Sequence, residues 1–165
     1  MTFTIRTSDK SDLAAVDVLL ARSYPKLLKA DYPPSVLVTA LPIISRARPE
    51  LITCGTYYVA ETEDGRIVGA GGWTPDQRHA GVGHVRHVVT DDRHVRQGIG
   101  SALLLGCFER ARVGGIDQLE CWSTLSAVAF YASLGFVEIG PIDVPLARGI
   151  SFPSVRMTHD LTRAG

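Results

Sequence analysis

The sequence predicts a single mixed α/β domain, and three observations lead there. Hydrophobic residues recur at three to four positions in some segments and at two in others, so helices and strands alternate along the chain. A strand runs into a glycine-bearing turn that opens a helix near residue 98. The composition is that of an ordinary globular fold: 45% of the 165 residues are hydrophobic and 21% charged, enough for a core without disulfide or metal staples. The domain is expected over residues 1–165.

The elements follow in order. Phe3 to Arg6 alternates as a short strand. Ser8 or Ser11 can cap a helix in which Leu13, Val16, Leu19 and Leu20 share one face, and Tyr24-Pro25 is expected to interrupt it. Asp31-Tyr32-Pro33-Pro34 is a second stop. Pro34 suits the first turn of another helix running to about Arg48, which Pro42 should kink or divide. From Gly55 the period becomes two: Thr56–Glu61 is a strand, Glu63-Asp64-Gly65 a hairpin turn and Arg66–Trp73 the returning strand. A polar loop leads to the strand His84–Thr90. Leu103, Leu104, Cys107 and Phe108 mark the next helix, ended by Gly114-Gly115. Leu119–Trp122 is a short strand, Ser126–Leu134 a helix closed by Gly135, and Phe136–Ile139 a strand. The tail from Pro141 holds one or two more strands, best defined at Phe152–Asp160.

Lys plus Arg and Asp plus Glu each number 17, so the formal net charge is zero. Proteins that grip nucleic acid through its phosphates carry a basic excess, so no nucleic-acid partner is expected. Near-zero charge weakens repulsion between copies and is compatible with a homodimer. Cys54, Cys107 and Cys121 lack CxxC spacing and read as reduced, partly buried residues of a cytoplasmic protein. The start, MTFTIRTSDKSD, has no apolar signal-peptide region. No apolar stretch approaches the roughly 20 residues that span a bilayer, so no membrane partner is expected.

The chemistry is concentrated in His84-Val85-Arg86-His87-Val88-Val89-Thr90 and in Arg96-Gln97-Gly98-Ile99-Gly100-Ser101. A helix start has main-chain N–H groups without partners and the positive end of the helix dipole. Glycines there remove the Cβ atoms that would keep a phosphate away. There is no GxxxxGK[ST], which sets aside a P-loop. The glycine pair is mid-chain and lacks the third glycine of a dinucleotide fingerprint.

Val95-Arg96-Gln97-Gly98-Ile99-Gly100 resembles the [RQ]xxGx[GA] acetyl-CoA signature of the GNAT N-acetyltransferase superfamily. Ser126-Ala127-Val128-Ala129-Phe130-Tyr131-Ala132-Ser133-Leu134-Gly135-Phe136 is similar to that family's NxxAxxFYxxxGF helix and turn. The order of elements matches the family along nearly the whole chain. The sequence departs from it at Val95, at Asp92 in place of a usual Pro, and at Ser126 in place of Asn. The resemblance implies a central, mixed but mostly antiparallel sheet flanked by helices. It also implies acetyl-CoA as co-substrate, no metal, and a small-molecule or peptide amine as acceptor. Val88, Val89 and Thr90 would line the pantetheine arm. Arg96, Gly98, Ile99, Gly100 and Ser101 would hold the pyrophosphate, and Val95, Gln97, Ser126 and Phe130 are the further co-substrate contacts it implies.

Acetyl transfer from a thioester requires a neutral amine, a donor for the oxyanion and a proton for the leaving thiolate. By the resemblance Tyr131 supplies that proton. His84 falls where several family members carry a catalytic Glu; Glu120, His87 and water remain alternatives for the base. Strand alternation puts His84 and Arg86 on one face and His87 on the other. Tyr24 and Tyr32 are the expected acceptor contacts, from the helix-to-helix loop. Cys121 reads as core packing, against a covalent acyl-enzyme. The other readings are transfer of a longer acyl chain, or a non-catalytic acyl-CoA-binding module.

Overall fold

The computed structural model describes residues 2–162; Met1 and residues 163–165 of the expected domain lie outside them. Strands β1 (Phe3–Thr7), β2 (Tyr57–Thr62), β3 (Ile67–Pro75), β4 (Val82–Thr90), β5 (Gln118–Thr124), β6 (Val137–Ala147) and β7 (Ile150–Asp160) form one sheet. Its order is β1-β2-β3-β4-β5-β7-β6. Every neighbour pair is antiparallel except β4 with β5. The expected mixed, mostly antiparallel sheet is what the chain forms.

Helices cover both faces. On one face α1 (Leu13–Leu28) and α2 (Pro34–Ile44) bury Val16, Leu19, Leu20 and Leu37 against Tyr57, Val59, Ala70 and Val89 of the sheet. On the other, α4 (Ile99–Val113) and α5 (Val128–Ser133) bury Ile99, Leu103, Leu104, Cys107 and Tyr131 against Ala60, Val68, Leu119 and Met157. A one-turn helix α3 (Pro49–Ile52) leads into β2. Apolar residues at alternate strand positions thus feed two separate cores.

Three expectations need correction. Helix α1 is not interrupted at Tyr24-Pro25 but runs on to Leu28. The carbonyl that loses its donor at Pro25 is that of Ala21, on the exposed side of the helix, where water can serve it. Its start is set neither by Ser8 nor by Ser11. Asp9 and Asp12 form a reciprocal capping box over the 3-10 turn Lys10–Asp12 that precedes it. Helix α2 ends at Ile44 rather than near Arg48, within a turn of Pro42. The tail forms a long hairpin, β6 pairing with β7 from Val137 to Ala147. Pro141 and Pro145 are tolerated in β6 because it is the edge strand.

An ion-pair network ties α1 to the turn after β4. Arg22 lies 2.5 Å from Asp91 and 3.3 Å from Asp92, and Lys26 lies 3.4 Å from Asp92. Burial alone would raise the Asp91 carboxyl. Hydrogen bonds from Arg93 and Arg22 outweigh it and hold the group well below the usual carboxylate range. Asp92 is lowered in the same way, against its burial, by Arg22 and Lys26. A carboxyl depressed by folding contributes stability that is complete above its unfolded value, about 3.9, and is lost as the pH falls through the folded one. The melting temperature is therefore expected to fall from pH 5 to pH 2. Arg22→Ala should lower it at pH 7 and flatten that acid slope; thermal scans of both proteins check this, and an unchanged slope would place the acid sensitivity elsewhere.

Candidate active site

The site begins with a break in the sheet. β4 and β5 pair only from Val82–His84 against Gln118–Glu120, and beyond His84 they part. At His87 the backbone turns left-handed, with φ 49°. The register of β3 against β4 shifts at this point, between Ala70 and Gly72, as an extra residue is inserted. The displaced carbonyls find side chains. Tyr57 donates its hydroxyl to the His87 carbonyl at 2.7 Å, and Tyr24 to the Val88 carbonyl at 2.9 Å. His87 Nε2 lies 2.7 Å from the Ile44 carbonyl, and since a carbonyl only accepts, that nitrogen carries the proton.

The bulge corrects the expectation from alternation. His87 does not face away from His84 and Arg86. The extra residue resets the alternation and turns its ring toward α1, 5.9 Å from Tyr24. Val85 and Val88 face the α4 layer and Val89 the α1 layer.

Where the strands part, a crevice of about 740 Å³ crosses the sheet. Val88, Val89 and Thr90 form its β4 wall, while Val95, Arg96, Gly98, Ile99, Gly100 and Ser101 form its rim at the start of α4. Ser126, Phe130 and Tyr131 close it from α5. Gln97 is exposed and outside the lining. Arg96 and Gly98 are both left-handed, with φ 65° and 81°. The first intrahelical bond of α4 runs from Ala102 N–H to the Gly98 carbonyl at 2.9 Å. The N–H groups of Ile99, Gly100 and Ser101 therefore precede any helical acceptor. A Cβ on Gly98 would meet nothing within 4 Å, so the space before the turn is open. One on Gly100 would stand 3.1 Å from the Phe130 ring and 3.3 Å from Thr90 Oγ1; glycine there lets the two elements close. Arg96 makes no ion pair among the described residues. Asp92, the departure from the usual Pro, is held by Arg22, Lys26 and the Ser23 hydroxyl.

Tyr131 lies inside the crevice, nearly buried, its ring edge-on to Phe130 at 5.2 Å and Phe136 at 5.3 Å. Its hydroxyl has no hydrogen-bond partner among the described residues. Burial pushes the phenol well above its usual value, so it stays protonated. Cys121 shares the crevice, but burial pushes its thiol up to about 12, which keeps it from forming the thiolate that a covalent route needs.

On the α1–α2 face of the sheet a second, polar cleft of about 630 Å³ is lined by His84, Arg86, Thr74, Asp76, Arg48 and Glu50, among others. His84 Nε2 lies 2.7 Å from Asp76 Oδ2, and its ring stands edge-on to Trp122 at 6.5 Å. The hydrogen bond from His84, with those from the Arg78 and His79 N–H groups, holds the Asp76 carboxyl far below the usual range. Asp76 is thus an acceptor, Nε2 carries the proton, and in that tautomer Nδ1 holds the free lone pair. Asp76 was missed by sequence reasoning. It sits at the start of a polar loop, and nothing in spacing links it to His84 before β3 and β4 pair.

Glu120 stands beside His84 in register but is engaged by Arg156 at 2.8 Å and by Trp122 Nε1 at 3.1 Å. Burial would raise its carboxyl; those bonds hold it below its ordinary value and make it a weak base. Tyr24 lines the crevice rather than the cleft. Tyr32 lines neither: its hydroxyl donates to the Pro153 carbonyl at 2.6 Å and accepts from Leu125 N–H at 2.8 Å, latching α2 to β7 and the β5–α5 turn.

Among the described residues no group of three or more His, Cys, Asp or Glu is placed to hold a metal ion, and no helix is long and apolar enough to cross a membrane. No curated protein sequence matches the chain. The fold is similar to that of a GCN5-related N-acetyltransferase structure from Rhodopseudomonas palustris, at TM-score 0.77 and 19% identity over 97% of this chain and 96% of that one. It is similar also to a PaiA N-acetyltransferase from Thermoplasma acidophilum in complex with coenzyme A, at TM-score 0.73 and 14% identity over 97% and 99%. N-acetylglutamate synthase from Neisseria gonorrhoeae, complexed with coenzyme A and N-acetyl-glutamate, matches at TM-score 0.69 and 17% identity; 99% of this chain covers 36% of that one. These identities speak for a shared fold. The acetyltransferase (GNAT) domain model matches residues 53–138, more than half of the sequence and the whole stretch from β2 through α5, and the chain belongs to the GNAT acetyltransferase family.

Proposed function

We propose that this protein transfers an acetyl group from acetyl-CoA to a primary amine of a small molecule or peptide, by direct attack on the thioester. The observation that carries this reading is the crevice through the β4–β5 gap. It has an open helix start at one end, an unpartnered Tyr131 hydroxyl inside, and the His84–Asp76 pair on the adjoining face. Two relatives in fold are complexes with coenzyme A, which supports the choice of co-substrate.

The crevice suits that co-substrate. The N–H groups of Ile99, Gly100 and Ser101, with the Arg96 charge, would hold the pyrophosphate. Val88–Thr90, with no β5 neighbour, offers strand-like main-chain groups to the pantetheine amides, although the Val88 carbonyl already serves Tyr24. Bound acetyl-CoA supplies the activated acyl carbon and a thiol leaving group. His84 Nδ1 takes the proton of the attacking ammonium, directly or through water, while Asp76 fixes the tautomer and steadies the imidazolium. A main-chain N–H of β4 beyond the β5 pairing would meet the developing oxyanion. Tyr131 returns a proton to the sulfur. Its high affinity for that proton keeps the donor loaded at every physiological pH.

Calorimetric titration with acetyl-CoA and with CoA, followed by thiol release across an amine panel, tests the reading. Binding without turnover of any amine would favour a binding module; turnover only with longer acyl-CoAs would reassign the donor. Tyr131→Phe is expected to lower kcat about 100-fold or more, in the range of lost acid catalysis, while CoA affinity changes little; an equal loss in both would remove the proton-donor role. Gly98→Val should do the reverse, weakening CoA binding at least about 10-fold, because a branched side chain both enters the open space and resists a left-handed backbone. Unchanged affinity would move the pyrophosphate elsewhere. His84→Gln should lower kcat about 100-fold or more, the range of lost base catalysis, and Asp76→Asn should cut kcat with little effect on KM, both measured as initial rates.

A further inference from the structure

The polar cleft beside His84 contains a cation that lacks a counter-ion. Arg86 projects from β4 two residues beyond His84, on the same face, and is half-buried. Its Nε donates to Thr74 Oγ1 at 2.8 Å, which fixes the plane of the guanidinium. Its two terminal nitrogens have no partner among the described residues and are not sealed from the cleft. The neighbouring carboxylates are committed elsewhere. Asp76 serves His84 and two main-chain N–H groups, Glu50 lies 3.1 Å from Arg48, and Glu120 is held by Arg156. Burial lowers the proton affinity of Arg86, repulsion from Arg48 in the same cleft adds to that, and attraction to Asp76 offsets only part of it. Arg78 adds a third positive group at the rim. A partly desolvated charge without a partner is costly and is relieved by an anion.

We propose that Arg86 is the anion contact of an acceptor subsite, and that the acceptor is an amine carrying a carboxylate, an amino acid or a close analogue. A guanidinium held by its Nε presents a planar fork that matches a carboxylate with two parallel hydrogen bonds. The Cα atoms of His84 and Arg86 are roughly 7 Å apart, two strand residues. An amino acid held by both ends bridges that span, its carboxylate on Arg86 and its amine toward His84 Nδ1. Thr74 acts as a positioning residue for the guanidinium.

The fate of the amine rests on the transferase reading above, so the test separates binding from turnover. The CoA-saturated protein is titrated with the twenty common L-amino acids, each beside its α-carboxamide, and thiol release from acetyl-CoA is followed with the same panel. At least one free acid is expected to bind about 10- to 100-fold more tightly than its amide, the range of a charge-assisted contact. Arg86→Ala should abolish that preference while leaving CoA affinity unchanged, Arg86→Lys should restore it in part, and Thr74→Val should weaken it. Acids and amides binding alike, or failing alike, in every pair would overturn the subsite, as would a preference that survives Arg86→Ala. Aminomethylphosphonate binding where no amino acid does would reassign the cleft to tetrahedral anions and overturn the carboxylate assignment. Arg86-dependent binding of amino acids without thiol release would leave the subsite standing and sink the transferase. Turnover of amines without any preference for acids would do the opposite.

Discussion

The site depends on satisfying two carbonyl oxygens. Once β4 leaves β5 at His84, its main chain can no longer spend its polar groups on a ladder, and a buried carbonyl without a partner costs about 1–3 kcal/mol. The hydroxyls of Tyr57 and Tyr24 meet that need at His87 and Val88. His87 in turn donates to the last turn of α2. Three elements distant in sequence therefore hold one bulge open.

The opening joins two chemically different faces. Toward α4 and α5, β4 and β5 present Val85, Val88 and Cys121, an apolar wall ending at an unpaired helix start. Toward α1 and α2, the intervening residues His84, Arg86, Glu120 and Trp122 are polar or amphipathic. Strand alternation distributes these roles between the two faces. The carboxylate partner of His84 stands on one side, while a phenol and a thiol that stay protonated at neutral pH lie in the passage on the other.

The turn before α4 shows how local strain is supported from a distance. Arg96 in a left-handed conformation is unfavourable for a side-chain-bearing residue. The preceding Asp91 and Asp92 are anchored to Arg22 and Lys26 on α1. Ion pairs that are sensitive to acid thus brace the turn.

The sequence by itself determined the order of elements, the helix start at Gly98-Ile99-Gly100 and the position of Tyr131, because these rest on periodicity, glycine spacing and two local motifs. Pro25 and the end of α2 misled, since the cost of a helical proline depends on whether the orphaned carbonyl reaches water. Asp76, the turn of His87 and the isolation of Arg86 were decided only by the tertiary structure. Each follows from pairing between segments that one strand cannot foresee: β3 brings Asp76 to His84, the bulge against Gly71 rotates His87, and the commitment of Glu50, Asp76 and Glu120 to other partners leaves Arg86 alone. Charge type is written in the sequence; charge balance within a cleft is a property of the fold.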